Sequence, residues 1–324
     1  MTIALCLTSA GIVASGSICS TGSYCVTDRP IPLFVNPVAG RGRAGKNSQG
    51  IADILAANGV SVALFASKAE GDLEERIFEH AKSGRGPVIV AGGDGSVHEA
   101  VNGILAAGTK TPLGLIPIGT GNDFAKACAI PLDWKMATRL LADRIRESVP
   151  VRYIDAARMN DRFFANGAGI GFDAKVNRIA RKYTWPIGDL VYLFAVLEGM
   201  WDGVITPTVT MRYAGKEYTG RITLANISNG PWVGGMFYIA PMAMNDDGHL
   251  DLVFAAPVSR LRILGLLGKL IRGTHIEESE ISYETIDEIE IVADEPVPSH
   301  LDGETQALQT TFRIEILRDA LGIL

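Results

Sequence analysis

Gly92-Gly93-Asp94-Gly95-Ser96-Val97-His98-Glu99-Ala100-Val101-Asn102-Gly103 decides how this chain of 324 residues is to be read. It follows Pro87-Val88-Ile89-Val90-Ala91, a short apolar run rich in β-branched residues, which is the pattern of a strand buried on both faces. Val97, Ala100, Val101 and Ile104 then recur at helical spacing, and Ser96 with Glu99 fits a capping box. The glycines between are expected to turn a strand into a helix. Such a turn lets backbone approach a ligand closely, and the helix start offers unpaired N–H groups to an anion. Asp94 adds a carboxylate that can hold a cation or a hydroxyl beside it. A nucleoside triphosphate with magnesium fits this corner. Neither Gly-x-Gly-x-x-Gly nor Gly-x-x-x-x-Gly-Lys-Ser/Thr accompanies it, so the Rossmann and Walker readings lose ground, and packing alone also produces glycine-rich turns.

Two further loops have the same design. Leu113-Gly114-Leu115-Ile116-Pro117-Ile118 runs into Gly119-Thr120-Gly121-Asn122-Asp123-Phe124-Ala125, where Asn122 or Asp123 also suits a helix cap. Ile31-Pro32-Leu33-Phe34-Val35 runs into Asn36-Pro37-Val38-Ala39-Gly40-Arg41-Gly42-Arg43-Ala44-Gly45-Lys46. Its cations suit a phosphate chain, or equally a solvated face. Three loops at the ends of parallel strands converge on one edge of an open sheet, where α/β proteins place ligands.

The spacing predicts helices near Lys46 to Asn58, Asp72 to Ser83, Ser96 to Ala107, Asp123 to Ala129 and Trp134 to Glu147, with strands between the first four. That alternation makes residues 30–150 an α/β unit with a parallel sheet. From Val151 the texture becomes strand-like: Val151 to Met159, Arg162 to Gly167, Ile205 to Tyr213, Lys216 to Ile227, Leu250 to Phe254, Glu288 to Ala293 and Thr310 to Leu317. Turns such as Ala214-Gly215, Asp247-Gly248 and Asp302-Gly303 separate them, which predicts an antiparallel, sandwich-like β-rich second domain across a cleft from the first.

Composition narrows the function classes. A net charge of -6 argues against nucleic acid as the main partner. Four cysteines, at positions 6, 19, 25 and 128, form neither a zinc-like pattern nor a dense framework, and a reduced, cytoplasmic setting is the simplest reading. Residues 1–29 carry no Lys or Arg before Arg29, so a secretory signal is a weak reading and a flexible extension or misplaced start a better one. No long uncharged apolar run suggests a transmembrane helix, since Leu190 to Met200 is short and interrupted by Glu198.

The ordered set Asn-Pro-x-x-Gly, Gly-Gly-Asp-Gly-Ser, Gly-Thr-Gly-Asn-Asp-Phe-Ala, Asp-Gly-x-Leu-Asp and Asp-Gly-Glu resembles the soluble diacylglycerol kinase superfamily, which includes sphingosine and ceramide kinases. The resemblance runs from about residue 30 to the end. It implies ATP and Mg2+ as cofactors, and an ATP site lined by Asn36, Pro37, Val38, Ala39, Gly40, Gly92, Gly93, Asp94, Gly95, Ser96, Val97, His98, Glu99, Thr120, Asn122 and Asp123. Asp302 and Glu304 match the catalytic acidic pair, one of which accepts the proton of the lipid hydroxyl, although Asp-Gly is also a plain hairpin turn. By the same resemblance residues 151–311 hold the lipid, residues 312–324 return to the first domain, and Asn166 to Asp173 is an interdomain glycine loop or else a tight strand-to-helix connection.

Asn245-Asp246-Asp247-Gly248-His249-Leu250-Asp251 loosely suggests a hard-cation site; the resemblance makes it a structural magnesium site with the Asp247 carboxylate and the carbonyls of Met244 and His249. The chain departs from the family pattern at Ala39, Ser96 and His98, where serine, threonine and asparagine are usual. The expected activity is ATP-dependent phosphorylation of a lipid hydroxyl, of diacylglycerol first and of sphingosine or ceramide as the alternative. NAD kinase shares the Gly-Gly-Asp-Gly corner but expects a following Asn-Glu motif that is not found, and a non-catalytic lipid-binding protein would not need the acidic residues. A homodimer is compatible with this reading. Val258 to Arg272, apolar with Arg260, Arg262, Lys269 and Arg272 interspersed, is expected either to touch a membrane surface peripherally or to pack its leucines on the β domain.

Overall fold

The computed structural model describes residues 29–183 and 190–324. The expected extension, Arg29 excepted, lies outside them. The first part alternates strand and helix: β1 (Ile31–Val35), α1 (Ala39–Ala57), β2 (Val62–Ala66), α2 (Asp72–Lys82), β3 (Val88–Gly92), α3 (Asp94–Ala106), β4 (Leu113–Pro117), α4 (Asp123–Ala127) and α5 (Trp134–Arg146). The four strands pair in parallel in the order β2-β1-β3-β4. Every residue of β3 and β4 is buried, as their unbroken apolar runs require. Helix α2 covers the sheet with a stripe of Leu73, Ile77 and Ala81.

Strands dominate from β5 (Arg152–Met159) onward: β6 (Arg162–Phe164), β7 (Gly167–Gly171), α6 (Phe172–Ala180), α7 (Leu190–Trp201), β8 (Thr208–Tyr213), β9 (Lys216–Arg221), β10 (Leu224–Ser228), β11 (Trp232–Val233), β12 (Phe237–Tyr238), β13 (Leu250–Ala255), α8 (Arg260–Arg272), a 3-10 turn at Thr274–Glu277, β14 (Ile281–Ile286), β15 (Glu288–Val297), β16 (Ser299–Leu301), β17 (Glu304–Thr305) and β18 (Gln309–Ile323). Six of them form a second sheet in the order β14-β13-β10-β7-β16-β17. Strands β11 and β12 pair only with each other, and the others extend the first. Strand β18 pairs antiparallel with β15 and β5, and its end meets β4 in parallel through Ile323 and Leu113, so one sheet runs through both halves. Met211, Ile291 and Phe312 of that sheet pack on Ile170, Ile227 and Leu252 of the other as the core of a sandwich.

Three expectations are corrected here. The run from Lys216 to Ile227 is two strands, because the chain turns at the buried Ile222 and Thr223 and passes from the edge of one sheet to the interior of the other. Arg162 to Gly167 likewise divides, and Gly167 to Gly171 is a central, fully buried strand rather than a loop. The capping box does not form. Helix α3 starts at Asp94 after Gly93, the buried Ser96 hydroxyl has no partner, and the Glu99 carboxylate instead accepts the N–H groups of Leu73 and Glu74 at 3.1 and 3.3 Å. Glu99 thus caps α2, whose own N-cap is a glycine, and burial raises its carboxyl above the usual range.

Candidate active site

The two glycine turns of the first domain are locked against each other. A Cβ on Gly93 would stand 2.9 Å from the Cα of Gly119, and one on Gly119 would stand 2.4 Å from the Cα of Gly93. Only glycine at both positions lets the β3–α3 and β4–α4 connections touch backbone to backbone. Asn122, at φ 52°, fixes the second turn by accepting the Gly119 N–H at 2.9 Å. Arg43 ties in the first loop: its guanidinium donates to the carbonyls of Gly119 at 2.7 Å and Gly40 at 3.1 Å. That side chain therefore braces the loops rather than waiting for phosphate. Asn36 closes its own turn on the Val38 N–H, while Val38 and Thr120 are exposed.

This locking brings Asp94 and Asp123 together. Asp94 accepts the Phe124 N–H at 3.2 Å, and Asp123 accepts the Gly235 N–H at 3.0 Å and the Lys126 ammonium at 3.1 Å. Both carboxylates crowd Gly121, lying 3.0 and 3.5 Å from where its Cβ would be. Burial, and after it the Asp123 charge, pushes the Asp94 carboxyl up to about 7. Two buried, mutually repelling carboxylates are a fitting donor set for a hard divalent cation.

The acidic pair of the Asp-Gly-Glu turn divides between two places. Asp302, at φ 50°, reaches inward, where its oxygens accept the N–H groups of Ala165, Asn166 and Gly167 at 3.1, 2.8 and 3.0 Å and Nδ1 of His98 at 3.1 Å. With the Asp302 carboxylate as acceptor, His98 donates from Nδ1 and so ties the Asp302 turn to α3. Its neighbour Asn102 spends its amide hydrogens on the carbonyls of His98 and Phe163, both at 2.9 Å. Glu304 stays in the outer cleft, ion-paired with Arg181, and a Cβ on Gly95 would lie 2.6 Å from its Oε1.

Three spaces meet around these groups. An outer cleft of about 580 Å³ is lined by Asn36, Pro37, Val38, Gly95, His98 and Glu99 from the first domain, and by Arg181 and Glu304 from the second. Lined by Asp94, Val97 and Gly303, the chain neighbours of Gly95, His98 and Glu304, a small cavity of about 40 Å³ brings Asp94, Asp123 and Asp302 together with Asn177, Tyr192 and His300. Next to it lies an apolar cavity of about 110 Å³ walled by Phe172 and Val176 of α6, Val196 of α7, Leu266 and Leu267 of α8, and Phe237. It shares Asn177, Tyr192 and Val233 with the small cavity, so the two adjoin. Asp173 borders the apolar side: burial opposes its ionisation, but His300 at 3.2 Å and Asn226 at 3.1 Å hold its carboxyl below the usual range.

Not every sequence candidate joins this site. Met244, Asp247 and His249 share one turn away from it, where Asp247 accepts the His249 N–H at 3.0 Å and the imidazole of His249 pairs with Asp287 at 2.7 Å. Among the described residues no three His, Cys, Asp or Glu side chains cluster as metal ligands. Helix α8 turns one face to the protein. Ile263, Leu266 and Leu267 are buried, while Arg262 pairs with Glu278 and Glu280 and Lys269 with Glu278, so those cations are already neutralised. Arg181, Asn177, Tyr192 and His300 were not singled out by the sequence. They lie on helices or strands, or in the case of Arg181 at the end of α6, with no motif of their own.

Residues 30–154 match the diacylglycerol kinase catalytic domain, and residues 167–324 match the YegS C-terminal NAD kinase beta sandwich-like domain. A diacylglycerol kinase of Mycobacterium tuberculosis is 32% identical over 253 residues, 78% of this chain and 81% of that protein. The chain belongs to the diacylglycerol kinase superfamily. It is a lipid kinase, and the two-domain fold is the one found in the superfamily. A diacylglycerol kinase of Bacillus subtilis is 29% identical over 84% of this chain and 88% of its own. The crystal structure of a diacylglycerol kinase from Bacillus anthracis str. Sterne superposes with a TM-score of 0.71 at 26% identity, covering 91% of this chain and 96% of that one.

Proposed function

We propose that this lipid kinase transfers the γ-phosphate of ATP to the free hydroxyl of diacylglycerol, giving phosphatidic acid. The observation that carries the reading is a cavity with three carboxylates that adjoins an apolar cavity, with a cleft lined by Gly95, His98 and Glu304, the chain neighbours of residues that line the first. A nucleotide in the cleft and an acyl chain in the apolar cavity would meet at the carboxylates. Phosphoryl transfer needs chiefly that alignment and neutralised charge.

The residues divide the work accordingly. Backbone N–H groups of the turns at Gly93 to Ser96 and Gly119 to Gly121 hold phosphate oxygens. Asp94 and Asp123 would hold Mg2+, which supplies charge neutralisation on the transferring group. Asp302 is the carboxylate at the acceptor end, and its four N–H partners fix its position beside the hydroxyl. It takes the hydroxyl proton late, since a loose transition state asks little of the base. Glu304, in the outer cleft, orders Arg181 on the nucleotide side. The cation at Met244, Asp247 and His249 stays a structural proposal, resting on the resemblance.

The substrate lives in a bilayer, and no helix among the described residues is long and apolar enough to cross one. We read the outer faces of α7 and α8 as the surface that touches the membrane peripherally. Trp201 and Leu261 are 87% and 81% exposed there, on the same helices that wall the apolar cavity. That cavity is smaller than the roughly 300–1,000 Å³ of sites that engulf a ligand, so most of the acyl chain stays in lipid. Purified protein incubated with labelled ATP, Mg2+ and separate vesicles of diacylglycerol, monoacylglycerol, sphingosine and ceramide tests the reading. Label is expected in phosphatidic acid; label in a sphingoid product alone would overturn the choice of acceptor.

A further inference from the structure

At the junction of the apolar and carboxylate cavities one fully buried acceptor has no partner among the described residues. Asn177 lies on α6 one residue beyond Val176 and four beyond Asp173, on the helix face that lines the apolar cavity. It is 5% exposed, borders both cavities, and its Oδ1 is buried without a hydrogen bond. Its Nδ2 faces the Asp302 turn, 3.4 Å from where a Cβ on Gly303 would be. The neighbouring polar groups are spent on one another: Asp173 on His300 and Asn226, and Nδ1 of His300 on the Gly303 N–H at 3.3 Å. Two other buried acceptors without a partner border one cavity each: Nδ1 of His275 the apolar one and Oδ1 of Asn166 the carboxylate one.

A buried acceptor left without a donor is costly, and such groups are ordinarily paired. We infer that Asn177 Oδ1 accepts a hydrogen bond from the lipid hydroxyl that is to be phosphorylated, and so holds that oxygen at the mouth of the carboxylate cavity. The inference rests on the proposed lipid acceptor and adds the residue that reads its head. An ester or an alkyl end offers no hydrogen here, so the contact selects a free alcohol. Once the oxygen carries a phosphoryl group it has no hydrogen to donate, and the lost contact favours release of the product.

The test compares a short-chain diacylglycerol with its deoxy analogue, in which the terminal CH2OH is CH3. Wild-type protein is expected to bind the alcohol about tenfold more tightly than the analogue, the usual size of one net hydrogen bond. Asn177→Leu should bind the two alike, with the KM for ATP unchanged, and Asn177→Asp, which keeps an acceptor, should retain the preference. If the leucine variant does not fold, Asn177→Ala is measured in its place. A full tenfold preference in a folded Leu or Ala variant overturns the inference while leaving the lipid kinase intact. Failure of wild-type protein to bind or phosphorylate the alcohol would overturn the diacylglycerol reading and this inference with it.

Discussion

The two sides of the carboxylate cavity are built by different means. On the side proposed for the nucleotide, the site is made of backbone: two turns approach so closely that glycine is required at Gly93 and Gly119, and Asp94 and Asp123 sit at the starts of the helices that follow. On the side proposed for the lipid, the site is made of shape: Phe172, Val176, Val196, Phe237, Leu266 and Leu267 make a cavity from four separate elements. A site made of backbone tolerates few residues and leaves a dense local signature. A site made of apolar walls accepts many combinations and leaves none.

The contrast fails first if the carboxylates prove dispensable. Asp94→Asn is expected to lower kcat by at least about a hundredfold without loss of fold, as for other preorganised charged groups in active sites. The pH dependence of stability provides an independent check. Asp94 binds its proton more tightly folded than unfolded, so without metal its contribution is greatest below the unfolded value near 3.8, and stability falls as pH rises toward about 7. Thermal unfolding of Asp94→Asn should lose part of that decline, and Mg2+ should raise the wild-type midpoint more at pH 8 than at pH 5. Equal pH profiles for the two proteins would remove the carboxylate pair from the account.

Next in size are the two acids of the Asp-Gly-Glu turn, which the geometry separates. Asp302→Asn should cost about a hundredfold in kcat and also about 2 kcal/mol of stability, because an amide NH2 would confront N–H groups that now meet a carboxylate. Glu304→Gln, on the cleft and half of an ion pair with Arg181, should instead raise the KM for ATP several-fold and leave stability nearly unchanged. Kinetics with denaturant unfolding for both variants would show whether the pair acts as one unit after all.

On the lipid side the expected effects are smaller. Leu266→Ala should raise the KM for diacylglycerol about tenfold, leave that for ATP alone, and cost about 2 kcal/mol or more of stability through the enlarged cavity. Smaller still is the effect of charge on α8. Arg262→Gln and Lys269→Gln remove cations already paired with Glu278 and Glu280, so binding to anionic vesicles should change less than twofold, whereas Trp201→Ser with Leu261→Ser should weaken it several-fold. Vesicle sedimentation of the four proteins separates an apolar contact from an electrostatic one.

How far the molecule was legible in its sequence follows the same division. Strands β1, β3 and β4 and their loops could be read directly, because apolar runs and glycine turns are local signals. Long-range partners could not. Ser96 and Glu99 have the spacing of a capping box, yet the tertiary contact of Glu99 with the start of α2 wins over the local one. The run through Ile222 and Thr223 looks like one strand because both sheets ask for the same apolar residues, and only pairing tells them apart. Asn177, Arg181 and His300 matter through neighbours far away in sequence, Asp302 and Glu304 among them, and their own surroundings in the chain do not mark them.

The central claim is that ATP and a lipid hydroxyl meet at the Asp94, Asp123 and Asp302 cavity. The most direct measurement is the transfer of label from ATP to vesicle-borne diacylglycerol by wild-type protein and Asp302→Asn, with ATP binding measured on the same samples. The account predicts labelled phosphatidic acid from the wild type, and from the variant near-normal ATP affinity with about a hundredth of the turnover. Wild-type turnover by a folded Asp302→Asn, or binding of ATP with label passing to no lipid, would contradict it.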